Sequence, residues 1–139
     1  MTSIAPKANG VSSPKTPRIL IIGAGSRGNA YARAVRDSGL GVVVAVADPV
    51  PVKRSLLGSK YIWPGQEPSA DQEFESWQQF IAWEVRRREC SDGSSGIDGV
   101  FVCVLDEYHA EVVTALAPLD LHIMCEKPLA TSLSDCLSI

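Results

Sequence analysis

The sequence predicts an α/β fold, a doubly wound and mainly parallel sheet with helices on both faces. Three observations predict it. The runs RILII, GVVVAVA and GVFVCVL have no polar face, as expected of strands covered on both sides. Stretches of helical periodicity separate them, and that alternation is the mark of a parallel sheet. The first run leads directly into a glycine-rich turn and the second ends in an acid.

Each element follows from its own residues. RILII, from Arg18 to Ile22, is too short for a helix and reads as a central strand. SRGNAYARAVRDSG then reads as a helix with Ala30, Ala34 and Val35 on one face and Gly39 as its C-terminal glycine. Residues 41–48 give the second strand, ending at Asp48, and PVPVKRSLLG a short helix expected to stop at Gly58. The breakers in SKYIWPGQEPSAD predict a loop, after which Phe74 marks a short third strand. From Ser76, Trp77, Phe80, Ile81 and Val85 form an apolar helical stripe, and Arg86, Arg87 and Arg88 read as a solvated helix end that complements the dipole. SDGSSG is a polar connection, GVFVCVL the fourth strand, HAEVVTALAPL a helix stopped by Pro118, and HIMCE the fifth strand. A last helix opens at Thr131 or Ser132, either of which can cap it, with Leu133, Cys136 and Leu137 on one face.

The turn GAGSRG, residues 23–28, is a G-x-G-x-x-G in a demanding context: a strand before it, a helix after it, and Asp48 twenty residues past its last glycine. Gly23 permits the tight turn, Gly25 lets a pyrophosphate approach the backbone, and Gly28 lets helix and strand pack closely. Ala24, Ser26 and Arg27 complete the phosphate loop, whose helix N-terminus favours anions. Asp48 suits the hydroxyls of an adenosine ribose and repels a 2′-phosphate, so the cofactor expected of this Rossmann-type fold is NAD. NADP stays possible, because Arg27, Lys53 and Arg54 lie close enough in sequence to meet a phosphate.

Bulk composition narrows the remaining classes. The 139 residues suffice for one domain, expected over 18–139 behind a disordered tail over 1–17 that lacks the pattern of a signal or transit peptide. A formal charge of −3 and the absence of a basic stripe argue against nucleic acid as a partner. No apolar run approaches the roughly 20 residues of a membrane span, so a cytoplasmic address is expected. Cys90, Cys103, Cys125 and Cys136 match no zinc spacing and read as reduced core thiols, and no metal site is expected.

The strand, phosphate loop and acid, followed by VFVCVLDEYHAEVVTALAPLDLHIMCEKPLA, resemble the Gfo/Idh/MocA family of NAD(P)-dependent oxidoreductases over residues 18–139. The motifs that carry the likeness are GAGSRG and EKPLA, with His109 opening a helix between them. The resemblance implies that Lys127 faces the nicotinamide and the substrate hydroxyl, with Glu126 beside it. His109 and Asp106 are expected near the same end of the cofactor. Family members often carry a Thr-Pro-Asn-like turn after the fourth strand, where this chain has Val104, Leu105 and Asp106. They also have a second domain that holds a catalytic acid/base and mediates oligomerisation, for which His109 and His122 offer no counterpart. The expected function is therefore the nucleotide-binding part of an oxidoreductase for a sugar, polyol or related hydroxy compound. Its sheet reads as incomplete at the C-terminus, and turnover and oligomerisation are expected to need the second domain. A non-catalytic dinucleotide-binding regulator, or a chain with no independent role, remains an alternative.

Overall fold

Strand β1, Arg18–Ile22, occupies the middle of a five-stranded sheet in a computed structural model that describes residues 14–90 and 93–139. It pairs in parallel with β2, Val42–Ala47, on one side and with β4, Gly99–Val102, on the other. The short β3, Glu73–Phe74, extends the sheet beyond β2, and β5, His122–Cys125, extends it beyond β4. The order β3-β2-β1-β4-β5 is that of a doubly wound dinucleotide fold, with the chain reversing direction of growth at β1. Ligand crevices form where such a reversal lets neighbouring strand exits diverge, here at Gly23 and Cys103.

The all-apolar strands are explained by two cores. Leu20, Ile22, Val100 and Val102 point to a face covered by α3, Trp77–Cys90, and α4, His109–Leu116, through Phe80, Val112 and Leu116. Ile19, Ile21 and Val46 point to the opposite face, under α1, Ser26–Ser38, and α2, Pro51–Tyr61, through Ala32 and Leu57. Each large side chain fully buried in this way contributes roughly 1.5–3 kcal/mol. Strand β2 carries one residue more than its partner: Ile19 pairs with Val43 but Leu20 with Ala45. The bulge at Val44 puts Ala45 and Ala47 in one core and Val43 and Val46 in the other.

The helices depart from the sequence reading in informative ways. Ala30 and Ala34 are exposed, and the inward face of α1 is Gly28, Ala32 and half-buried Val35, because the close approach at Gly28 fixes the rotation of the helix. Helix α2 runs three residues past Gly58, which is no helix stop. A Cβ there would collide with the indole of Trp63, so the glycine provides packing space.

In α3, Val85 is exposed and Glu84 is fully buried in its place. Arg87 donates two 2.8 Å hydrogen bonds to Glu84 and Arg88 a third, which makes the burial tolerable. Arg88 also donates to the Leu119 carbonyl at 2.7 Å, so two of the three arginines expected in solvent anchor the helix. Strand β4 ends at Val102, three residues short of the apolar run, since Cys103, Val104 and Leu105 turn out along the crevice.

Residues 1–13 of the expected tail lie outside the described residues, while the Pro17 carbonyl accepts from Val42 N–H and Lys15 lies 3.2 Å from Asp98. Helix α5, Leu133–Ser138, is capped by Ser132, whose hydroxyl accepts from Asp135 N–H at 3.1 Å. Among the described residues no helix is long and apolar enough to cross a membrane, and no cluster of three candidate ligands could hold a metal ion.

Candidate active site

A cleft of about 630 Å³ opens at the exits of β1, β2 and β4, lined in part by Gly23, Gly25, Ser26, Arg27, Asp48, Cys103, Val104 and Asp106. Gly23 has φ +99°, and a Cβ on it would lie 2.5 Å from the Cys103 carbonyl oxygen. A Cβ on Gly28 would collide with the Gly23 carbonyl. Gly25 is different: a Cβ there would meet nothing within 4 Å, so its missing side chain leaves room beside the loop. Ala24 is buried, and Asn29 donates to the Ala24 and Gly25 carbonyls at 3.1 and 2.9 Å, which fixes the loop from below. No side chain caps α1 and no acid stands in its first turn, so its N-terminal N–H groups suit a phosphate.

Asp48 is buried and holds the loop as well as facing the cleft. Its Oδ2 accepts from Ala24 N–H and its Oδ1 from Val50 N–H, each at 2.8 Å. Two acceptor sites remain on these oxygens for ribose hydroxyls. Of the cations counted as phosphate partners, Arg54 is buried, donating to the Asp48 carbonyl at 2.7 Å and to Glu73 at 3.0 Å. Lys53 alone of that pair lines the cleft. Gly25, the uncapped helix and Asp48 together fit a dinucleotide.

The turn after β5 carries Glu126 and Lys127, neither of which lines this cleft. Glu126 N–H donates to the Val102 carbonyl at 2.9 Å, carrying the β4–β5 pairing one residue further. Its Oε1 accepts from Lys127 N–H and its Oε2 from the Tyr31 hydroxyl, both at 2.9 Å, with Arg27 Nε 3.6 Å away. Those donors, Lys127 N–H first and Tyr31 next, hold the Glu126 carboxyl below the usual carboxylate range against a smaller effect of burial. The same bond, followed by burial, raises the Tyr31 phenol.

Lys127 is exposed, and its ammonium makes no hydrogen bond or ion pair among the described residues. The Lys127–Pro128 peptide is cis. His109 does not line the cleft: it is fully buried, with Nδ1 2.7 Å from the Pro128 carbonyl and Nε2 3.1 Å from that of Val104.

The four cysteines are free, but none is deep in the core, and Cys90 is exposed. Cys103 forms part of the cleft wall because β4 has already ended there. Burial, and then the Glu126 charge, push its thiol up to about 12, so it is no nucleophile. Asn29, Tyr31 and Trp77, which lines the cleft beside Ser76 and Gln78, were not singled out for the site from sequence. A polar side chain one turn into the helix after the loop was the available signal for Asn29 and Tyr31.

Residues 17–139 match the family described as "Oxidoreductase family, NAD-binding Rossmann fold", GFO_IDH_MocA. The chain belongs to the Gfo/Idh/MocA family. Curated relatives include an inositol 2-dehydrogenase of Rhizobium meliloti (strain 1021), 27% identical over 114 residues, which are 82% of this chain and 28% of that protein. The rhizopine catabolism protein MocA of Rhizobium meliloti is 28% identical over 111 residues, 80% of this chain and 29% of the relative. The chain thus spans under a third of the length of either protein.

Solved Gfo/Idh/MocA-like folds include myo-inositol 2-dehydrogenase from Lactobacillus plantarum, with a TM-score of 0.69 at 18% identity, covering 89% of this chain and 32% of that one. The WlbA (WbpB) dehydrogenase from Thermus thermophilus, solved in complex with NAD and UDP-GlcNAcA, gives a TM-score of 0.68 at 22% identity, covering 88% and 36%. These likenesses show the fold. This Gfo/Idh/MocA domain is an NAD-binding Rossmann domain.

Proposed function

We propose that this chain is the cofactor-binding part of an NAD-dependent dehydrogenase for a polyol, sugar or related hydroxy compound. The observation that carries the reading is the single cleft in which the gap at Gly25, the uncapped end of α1 and the Asp48 carboxylate meet. In this reading Gly23, Ala24, Gly25, Ser26, Arg27 and Gly28 hold the pyrophosphate and Asp48 the adenosine ribose. Asp106, Glu126 and Lys127 serve the nicotinamide end, with His109 behind them. Bound NAD supplies the hydride acceptor for a carbinol carbon. The Lys127 ammonium would orient the substrate hydroxyl and stabilise the alkoxide charge that develops as a base takes the hydroxyl proton, the charge that then drives the hydride off.

The inositol dehydrogenase among the relatives supports a polyol substrate. The base that takes the hydroxyl proton would come from a substrate domain outside these 139 residues, since His109 is buried and His122 begins an edge strand. Calorimetric titration with NADH and turnover assays with inositols and sugars test both parts. Saturable NADH binding with no turnover by the 139-residue chain is expected. Robust turnover would overturn the need for a further domain, and no binding would overturn the whole reading.

A further inference from the structure

We propose that His109 is a positioning residue that sets Lys127 against the nicotinamide end of the cleft by gripping the Pro128 carbonyl. The inference rests on the role proposed above for Lys127.

The imidazole bridges two turns that leave neighbouring strands. Val104 belongs to the cleft wall beyond β4, and Pro128 follows Lys127 beyond β5. The backbone on the other side of Lys127 is already fixed, because Glu126 N–H pairs with the Val102 carbonyl and the Glu126 carboxylate takes up Lys127 N–H. His109 supplies the matching constraint after Lys127, so an exposed lysine sits on a turn held at both ends. Carbonyls only accept, and a neutral imidazole has one N–H to give. The 2.7 Å contact from Nδ1 to Pro128 is the shorter and is assigned that proton, while Nε2 lies at 3.1 Å from Val104. A ring with no exposed surface cannot touch a ligand, and its influence passes through these two carbonyls.

The test exploits the geometry of the ring. An asparagine amide places a donor near the position of Nδ1, and a glutamine amide places one near that of Nε2. The chain and its His109→Asn, His109→Gln and His109→Leu variants are titrated with NADH and with ADP-ribose, which lacks the nicotinamide. Emission of the bound reduced nicotinamide is recorded alongside. ADP-ribose affinity is expected to stay within about twofold in every folded variant.

The preference for NADH over ADP-ribose is expected to fall about tenfold in His109→Gln and His109→Leu, the order of one lost hydrogen bond, and to survive in His109→Asn. If the leucine variant fails to fold, the comparison of asparagine with glutamine decides. Equal weakening of both ligands would make the role merely structural and overturn the proposal. So would rescue by glutamine alone, unchanged preference in all variants, or a wild-type chain that shows no preference. A wild-type chain that binds neither ligand overturns the proposed function itself, which keeps the two failures apart.

Discussion

The hydroxyl of Tyr31 donates to Oε2 of Glu126 at 2.9 Å and so ties the first helix to the turn that carries Lys127, 95 residues further along the chain. Through this contact the helix that follows the glycine loop is joined to the lysine turn. Tyr31 also packs edge-on against Phe101, with ring centroids 5.7 Å apart, which holds the phenol in place. Replacing Tyr31 by Phe keeps the packing and removes the donor. The Glu126 carboxyl should then titrate at higher pH in NMR of selectively labelled glutamate, and an unmoved midpoint would show that Tyr31 does not hold it.

The same pair has a defined pH window. A carboxyl lowered in the fold contributes stability that is complete above its unfolded value and is lost as pH falls through the lowered one. A raised phenol contributes stability that is complete below its unfolded value and is lost as pH rises through the raised one. The tie between α1 and the lysine turn should therefore be complete between the ordinary glutamate and tyrosine values, about 4.3 and about 10, and be lost only below the lowered carboxyl and above the raised phenol. Amide exchange at Lys127 N–H, corrected for intrinsic rates, should keep its protection across that range and begin to lose it only as pH falls below the lower limit.

Two glycines of one loop should respond in opposite ways. Gly28→Ala forces a methyl into the Gly23 carbonyl and should cost about 1–3 kcal/mol of stability, read from urea unfolding. Gly25→Ala meets no protein atom within 4 Å, so the melting temperature should barely change. Its methyl would occupy the space proposed for the pyrophosphate, and NADH affinity should drop at least tenfold. A Gly25→Ala chain that binds as tightly as the parent would place the phosphates elsewhere.

Glu84 offers a test away from the cleft. Burial raises its carboxyl, but the hydrogen bonds from Arg87 and Arg88 outweigh that and leave it lowered. Its contribution is thus present above the usual carboxylate range and lost as pH falls through the lowered value. Glu84→Ala should destabilise by about 3 kcal/mol at neutral pH, typical of a broken buried ion pair. Glu84→Gln should flatten the acid limb of a stability-versus-pH curve, and an unchanged limb would contradict the assignment.

Cysteine reactivity should follow exposure and thiol acidity. Cys90 is exposed, whereas burial and Glu126 push the Cys103 thiol up to about 12. Iodoacetamide at pH 8 should therefore label Cys90 well before Cys103, as peptide mass mapping would show. Faster labelling of Cys103 would mean that its wall of the cleft is open to solvent in a way that the structure does not show.

What the sequence made legible was local. Gly23, Gly25, Gly28 and Asp48 obey a spacing set by one turn and one strand, and strands covered on both faces are apolar throughout. What it hid depended on distant partners. Nothing near Tyr31 points to Glu126, and nothing near His109 points to Pro128. The sequence does not specify the rotation of α1, because Ala30 and Ala34 are as apolar as Ala32 and only the contact of Gly28 with the loop distinguishes them. Val85 is exposed where the apolar stripe predicts burial, and Glu84 is buried in its place because arginines at i+3 and i+4, which look like ordinary surface charges in the sequence, pair with it. The spacing of Asp48 predicts a ribose ligand, while its hold on Ala24 and Val50 depends on the loop folding back onto it.

The indole of Trp77 stands in the wall of the cleft, next to Ser76 and Gln78. Tryptophan emits in the band where reduced nicotinamide absorbs, so this side chain can act as a built-in optical donor. Filling of the cleft should be visible as quenched ultraviolet emission and sensitised blue light, with no dye attached. Trp63 is buried beside Gly58 and Trp83 packs at a tilt against Phe74 and Phe80, so replacing Trp77 by Phe separates the signal of the cleft from that of the other two indoles.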